Sequence, residues 1–227
     1  MLAFLFGIQA HAENWKLIWA DEFNQPGLPD PAHWTNELGF IRNHESQFYT
    51  VARPENARVT NGVLVIEARK EHFANPNHKP GSKTQPEFAQ YTSASLKTKN
   101  LAEWQYGRIE VRAQLPRGRG VWPAIWMLGA NESQVGWPRC GEIDIMEYVG
   151  FEPDTIHANI HTGKYNHNKK NGKGSTLKLP QPFESFHNYS IEWSPEKIDF
   201  FVDDFKYFTY AREESAGQDA WPFDQKC

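Results

Sequence analysis

Residues Gly141–Gly150 read GEIDIMEYVG, three acids threaded between β-branched, aromatic and other apolar residues. On an extended strand side chains alternate between faces, so Glu142 and Asp144 project one way while Ile143 and Ile145 project the other. Glu147, five residues after Glu142, breaks that parity. A single β-bulge near Ile145 or Met146 restores it, because a bulge inserts one extra residue and returns the next side chain to the first face. The stretch therefore predicts a strand with three carboxylates on one face. Three acids in ten residues could also be an ordinary solvated face, but a solvated strand has no need of Ile143, Ile145, Met146, Tyr148 and Val149 between them.

With the bulge, Glu142 and Glu147 stand about four normal steps apart, roughly 13 Å at ~3.3 Å each. Each side chain reaches ~4 Å, so two glutamates leaning together close to about 5 or 6 Å. That approaches the ~5 to 5.5 Å of a retaining glycosidase, in which one carboxylate attacks the sugar and the other protonates the leaving oxygen. Asp144 lies between them, where its charge or a shared proton separates the behaviour of the two glutamates.

EIDIME resembles the signature E-[I/L]-D-[I/V/F]-x-E of the family 16 glycoside hydrolases, in their laminarinase branch. WADEF at Trp19–Phe23, YTVARPENARVTNGVLVIEARK at Tyr49–Lys70, YGRIEVRAQLPRGRGVWPAIWMLG at Tyr106–Gly129 and YSIEWSPEKIDFFVDD at Tyr189–Asp204 are similar to that branch and fall in its order. The resemblance implies an all-β sandwich of jelly-roll type with a concave substrate cleft. It implies a retaining endo-β-1,3-glucanase acting on laminarin-like glucan, with Glu142 as nucleophile, Glu147 as general acid and then base, and Asp144 as electrostatic support. Trp122, Trp126 and Trp137 are expected to stack on glucosyl units, with Trp122 and Trp126, four apart, on one side of a strand. Asn43 and Arg53 match polar contacts near the reacting sugar, and His161 matches a position from which a histidine can hydrogen-bond the acid/base. No cofactor is expected for catalysis. Family members often bind a structural calcium; Glu22 and Gly62 match two of its ligands, and the third falls beyond this sequence. Members also continue past the WPFDQ stretch into further strands, so the resemblance reads this chain as truncated at its C-terminus.

Two other readings stay open at this point. The fold also serves non-catalytic β-glucan recognition modules, which typically lack the paired glutamates present here. Within enzymes, the acids do not encode linkage, so mixed-linkage glucan, agarose or transglycosylation remain alternatives. His157 and His161 are spaced i, i+4, but HANIH lacks the glutamate of H-E-x-x-H and sits in strand-like sequence, so no catalytic metal is expected.

Composition agrees with one domain. The chain has 227 residues, 39% of them hydrophobic, enough for one core. Its net charge of −4 gives no electrostatic reason to bind nucleic acid or an anionic membrane. A neutral polymer suits it better, and nine Trp could supply both core packing and stacking surfaces for sugars. A monomer is expected. Val63–Ala68, Arg108–Leu115 and Ile198–Val202 read as strands, with Ile109, Val111, Ala113 and Leu115 on one face. Asn61-Gly62 and Ser194–Lys197 read as turns. Segments 71–90 and 163–182, rich in Lys, Asn, Gly and Pro, read as loops. Cys140 is expected as a buried free thiol, although a disulfide to Cys227 is conceivable in an oxidising compartment.

The opening MLAFLFGIQAHA reads as the apolar part of a secretory leader, ending in the small-x-small pattern Ala10-His11-Ala12. No basic residue precedes the apolar run, which fits a partial leader, and 12 residues are too few to cross a bilayer. Export with cleavage after Ala12 is predicted. N-terminal sequencing of exported protein should begin at Glu13, and a sequence beginning at Met1 would refute it.

Overall fold

The computed structural model describes residues 15–215 and 217–227; the expected leader and its cleavage point lie outside them. In chain order the strands are β1 (Thr35–Asn36), β2 (Gln47–Tyr49), β3 (Ala57–Thr60), β4 (Val63–Ile66) and β5 (Arg69–Ala74). β6 (Phe88–Ser93), β7 (Leu96–Lys97), β8 (Gly107–Ala113), β9 (Ala124–Leu128) and β10 (Glu142–Tyr148) follow. β11 (Thr155–His161), β12 (Lys173–Lys178), β13 (His187–Trp193), β14 (Lys197–Val202) and β15 (Phe205–Ala211) complete the set. Among the described residues the α-helix α1 (Glu132–Val135) and one 3-10 turn at His167–Lys169 are the helical elements.

Two four-stranded antiparallel sheets carry the domain, in the orders β12-β11-β10-β9 and β15-β14-β13-β8. Their facing sides enclose the main core, in which Ile143, Ile145, Met146 and Tyr148 of β10 pack with Ile156 and Ile160 of β11 and with Tyr189, Ile191, Ile198 and Phe200 of the opposite sheet. Fully burying each such aliphatic side chain contributes ~1.5–3 kcal/mol. This is the all-β sandwich of jelly-roll type that the sequence implies.

The bulge lies where the parity of the acids demands it. The register of β10 shifts between Asp144 and Met146 against β9, and between Asp144 and Glu147 against β11. Consecutive residues Ile145 and Met146 thereby both enter the core, while Glu147 returns to the face shared by Glu142 and Asp144. The Asn61-Gly62 turn joins β3 to β4 with φ of 53° and 73°, the left-handed pair that a two-residue hairpin favours.

Three expectations change. β8 ends its sheet, so Val111 is 37% exposed despite the apolar alternation around it. Segment 71–90 is not all loop, because β5 and β6 pair across it and leave 75–87 as the connection. Segment 163–182 contains β12, an edge strand of sequence KGSTLK paired with β11. Edge strands need little apolar sequence, so its lysines and Gly174 concealed it. Cys140 is a buried free thiol, as expected, and burial pushes it up to about 11, which keeps it unreactive.

Gly141 leads the chain into β10 with φ of +82°, and a Cβ there would meet Pro222 Cγ at 2.7 Å and Phe223 Cε1 at 2.8 Å. Both the backbone and the space exclude a side chain. Gly141→Ala is predicted to cost about 2–4 kcal/mol, read as a lower denaturant midpoint in urea. An unchanged midpoint would show that Pro222 and Phe223 yield freely.

Candidate active site

Antiparallel pairing sets the outward face of the β9–β12 sheet as a grid. Glu142 lies between Leu128 of β9 and His161 of β11; Asp144 lies between Trp126 and Asn159; Glu147 lies between Ala124 and His157. β12 extends two of these rows, with Gly174 beside Asn159 and Thr176 beside His157. The three acids therefore stand in a line on the central strand, with an apolar or aromatic flank on one side and a polar flank on the other.

The two glutamates have different neighbours. Trp137 donates its indole N–H to Glu142 Oε2. Glu142, Asp144 and His161 bring one ligand atom each within 4.8 Å of one another, and His161 Nε2 lies 3.3 Å from Asp144 Oδ2. Glu147 instead accepts from Trp122 Nε1 at 3.1 Å and from Asn159 Nδ2 at 2.7 Å. One carboxylate sits in a carboxyl–imidazole cluster, and the other is held by two neutral donors.

The sequence profile of Glycosyl hydrolases family 16 matches residues 44–227. The chain belongs to that family. It is 47% identical to a β-glucanase of Rhodothermus marinus, over 94% of this chain and 73% of the relative. Among solved structures it is similar to the laminarinase from Rhodothermus marinus, with a TM-score of 0.83 and 46% identity over 93% of this chain and 82% of the other. It is also similar to a non-specific endo-β-1,3(4)-glucanase from family GH16, co-crystallized with 1,3-β-D-cellotriosyl-glucose, with a TM-score of 0.85 and 43% identity over 94% and 81%.

Within this family 16 site Glu142 and Asp144 titrate together. Burial pushes Glu142 up to about 8, helped by the charge of Asp144. Asp144, only 3% exposed, is held well above the usual carboxylate range by burial and then by the charge of Glu147. Two carboxyls this close cannot both ionise cheaply, so the pair keeps a proton at neutral pH. The less hydrated Asp144 is the better place for it, because the indole donor of Trp137 favours charge on Glu142.

The expected contact residues divide. Trp122, Trp137 and His161 are all beside the carboxylates. Trp122 arrives from the loop before β9 rather than from the strand itself, so strand parity does not govern it. His161 approaches Asp144 and not Glu147, the expected acid/base, because the register pairs it with Glu142 at the far end of the line. Trp126 is on the cleft face, but the guanidinium of Arg42 lies 5.2 Å from its ring centre. Arg53 is engaged elsewhere: its guanidinium binds Glu71 at 2.6 and 3.0 Å, with Asn56 and Thr92, in the neighbouring sheet. Asn43 is exposed at φ of 52°, and it is the adjacent Arg42 that reaches the grid, fixed by an ion pair to Glu37.

Asn159, Arg42 and His167 were not singled out by sequence. His167 lies 5.1 Å from the ring of Trp137 and 5.2 Å from that of His161. The alternation of HANIH opposite EIDIME marks Asn159 as outward-facing, which is the signal that could have found it. For calcium, the group of three metal-ligating side chains found among the described residues is Glu142, Asp144 and His161, which does not include Glu22.

Raised carboxyls bind protons more tightly in the fold than in the unfolded chain. For Glu142 this stabilisation is complete below the unfolded value of ~4.3 and is lost as pH rises through the folded value of about 8; Asp144 is shifted in the same direction. The protein is predicted to lose about 3–4 kcal/mol from Glu142 between pH 5 and pH 8. Asp144→Asn removes the like charge and should flatten the loss, measured by urea unfolding at several pH values. An equal slope in the variant would mean that the pair is not its source.

Proposed function

We propose that this protein is a retaining endo-β-1,3-glucanase that cleaves laminarin-like β-glucan by double displacement. The observation that carries the reading is the pair of glutamates at opposite ends of one bulged strand, each with its own set of partners. Glu142 attacks the anomeric carbon as Glu147 gives its proton to the departing glycosidic oxygen. The covalent α-linked glycosyl ester on Glu142 is then hydrolysed by water that Glu147 deprotonates, so the β configuration is retained. Asp144 keeps the shared proton as Glu142 ionises for attack, and so reduces the repulsion that would oppose it.

Trp122 is 60% exposed and Trp137 36%, so each can offer ring surface to a sugar while its N–H orients a carboxylate. β-1,3 linkage is supported by the laminarinase among the structural neighbours. A wider β-1,3(4) specificity is the second reading, supported by the neighbour described as non-specific. A polymer too large to enter a cell agrees with the leader expected at residues 1–12. Hydrolysis of laminarin, lichenan, agarose and xyloglucan side by side decides between the specificities, and no hydrolysis of any would leave only a binding role.

Proton NMR of the first-formed product should show the β-anomer; an initial α-anomer means inversion and removes Glu142 as nucleophile. Glu142→Ala should abolish turnover, with azide restoring reaction of an activated aryl glycoside to an α-glycosyl azide. Glu147→Ala should still form the intermediate from that substrate, and azide should release it as a β-glycosyl azide. The opposite anomers would exchange the two roles.

A further inference from the structure

Glu147 has to serve as acid and then as base from one position, and its flexible side chain does not fix that position by itself. Its Oε1 is held by Trp122, which stands on a loop and is largely exposed. Its Oε2 is held from the sheet, at 2.7 Å, by Nδ2 of Asn159, a half-buried residue of β11. His157, the direct cross-strand partner of Glu147, lies 3.2 Å from Glu152 instead, which leaves the diagonal neighbour Asn159 to hold the acid.

The next strand explains how Asn159 can turn that way. A Cβ built on Gly174 would lie 2.3 Å from Asn159 Oδ1 and 2.5 Å from the Ala158 carbonyl oxygen. The backbone at Gly174 is not in the left-handed region, so the glycine is required for space and not for its φ. With Oδ1 over Gly174, the amide nitrogen faces Glu147. An ionised carboxylate only accepts hydrogen bonds, so the donor end of the amide must face it.

We infer that Asn159 is a positioning residue that aims Glu147 at the glycosidic oxygen, and that Gly174 provides the space this requires. The inference rests on the glycosidase reading, because it takes Glu147 as the proton donor. An uncharged donor fixed to a central strand orients the carboxyl without adding a competing acid or base. Misplacing a reacting group by about 1 Å can cost ~100-fold, and general acid catalysis as a whole contributes about 10²–10⁴-fold.

The test compares laminarin, whose leaving sugar needs a proton, with a 2,4-dinitrophenyl β-laminaribioside, whose leaving group does not. Asn159→Ala should lower kcat/KM on laminarin about 10- to 100-fold and leave kcat/KM on the aryl glycoside within about twofold. Asn159→Asp keeps the size but turns the donor into an acceptor, and should fall at least as far on laminarin. Thermal unfolding of both variants separates misaiming from loss of fold. Equal losses on the two substrates, or no loss on either, would overturn the inference.

Gly174→Ala should give the same selective loss on laminarin. In the Asn159→Ala background its clash with Ala158 persists and lowers the melting temperature, but the selective loss should not deepen. Multiplying losses would show that Gly174 acts by another route. The glycosidase reading fails separately: Glu147→Ala that leaves laminarin hydrolysis intact would remove it, and the role of Asn159 with it, before any Asn159 variant is made.

Discussion

The arrangement depends on one extra residue in β10. Strict alternation would bring Glu147 to the core side, where an unpaired carboxylate is strongly disfavoured. The bulge instead sends Ile145 and Met146 inward together and returns Glu147 to the open face. Core and site are thus coupled. The apolar residues of the strand bind it to the opposite sheet, and that anchoring fixes the spacing of the acids. Gly141 and the Pro222–Phe223 contact fix where the strand begins, so the register has support at its start as well as along its length.

The bulge also separates the environments of the glutamates. On one side of it, Glu142 shares a cluster with Asp144 and His161, in which burial and like charge hold protons on the carboxyls. On the other side, the donors that hold Glu147 are neutral, Trp122 and Asn159. Identical side chains five positions apart in a contiguous motif therefore acquire different partners through register. A retaining mechanism needs such asymmetry, because one carboxylate must bond to carbon while the other carries protons in both directions.

What sequence revealed and what it concealed follow from the range of the interactions. The parity break between Glu142 and Glu147 is local, and a period of two makes it legible without any knowledge of neighbouring strands. The identity of each acid's partners is not local. His161 was expected at the acid/base and stands at Asp144, because cross-strand register beyond a bulge cannot be counted from the sequence of either strand. Arg53 has the residue type of a sugar contact, yet Glu71 and Thr92 claim it through a sheet pairing that no motif encodes. β12 was unreadable because an edge strand needs no apolar face, and with it went the meaning of Gly174.

Floor and walls of the cleft differ in how they are held. The floor is strand, with β10 and β11 each hydrogen-bonded on both sides. The walls are loops with discrete anchors. The segment carrying His167 is tied by buried Asn166, which donates to the Thr162 carbonyl at 3.0 Å and accepts from Lys169 N–H at 3.2 Å. A second anchor joins Lys164 to Glu213 at 2.7 Å. On the far side, Arg42 is pinned by Glu37 and lies over Trp126. The reaction needs the acids at fixed separation, which the floor provides. Linkage preference depends on how neighbouring sugars leave the reacting ring, and the side chains around the acids include Trp122, Trp137, His167 and Arg42, which lie outside the strands. Trp122 and Trp137 also hold the carboxylates through their indole N–H groups, so of these four it is His167 and Arg42 that can change without removing a donor from Glu142 or Glu147.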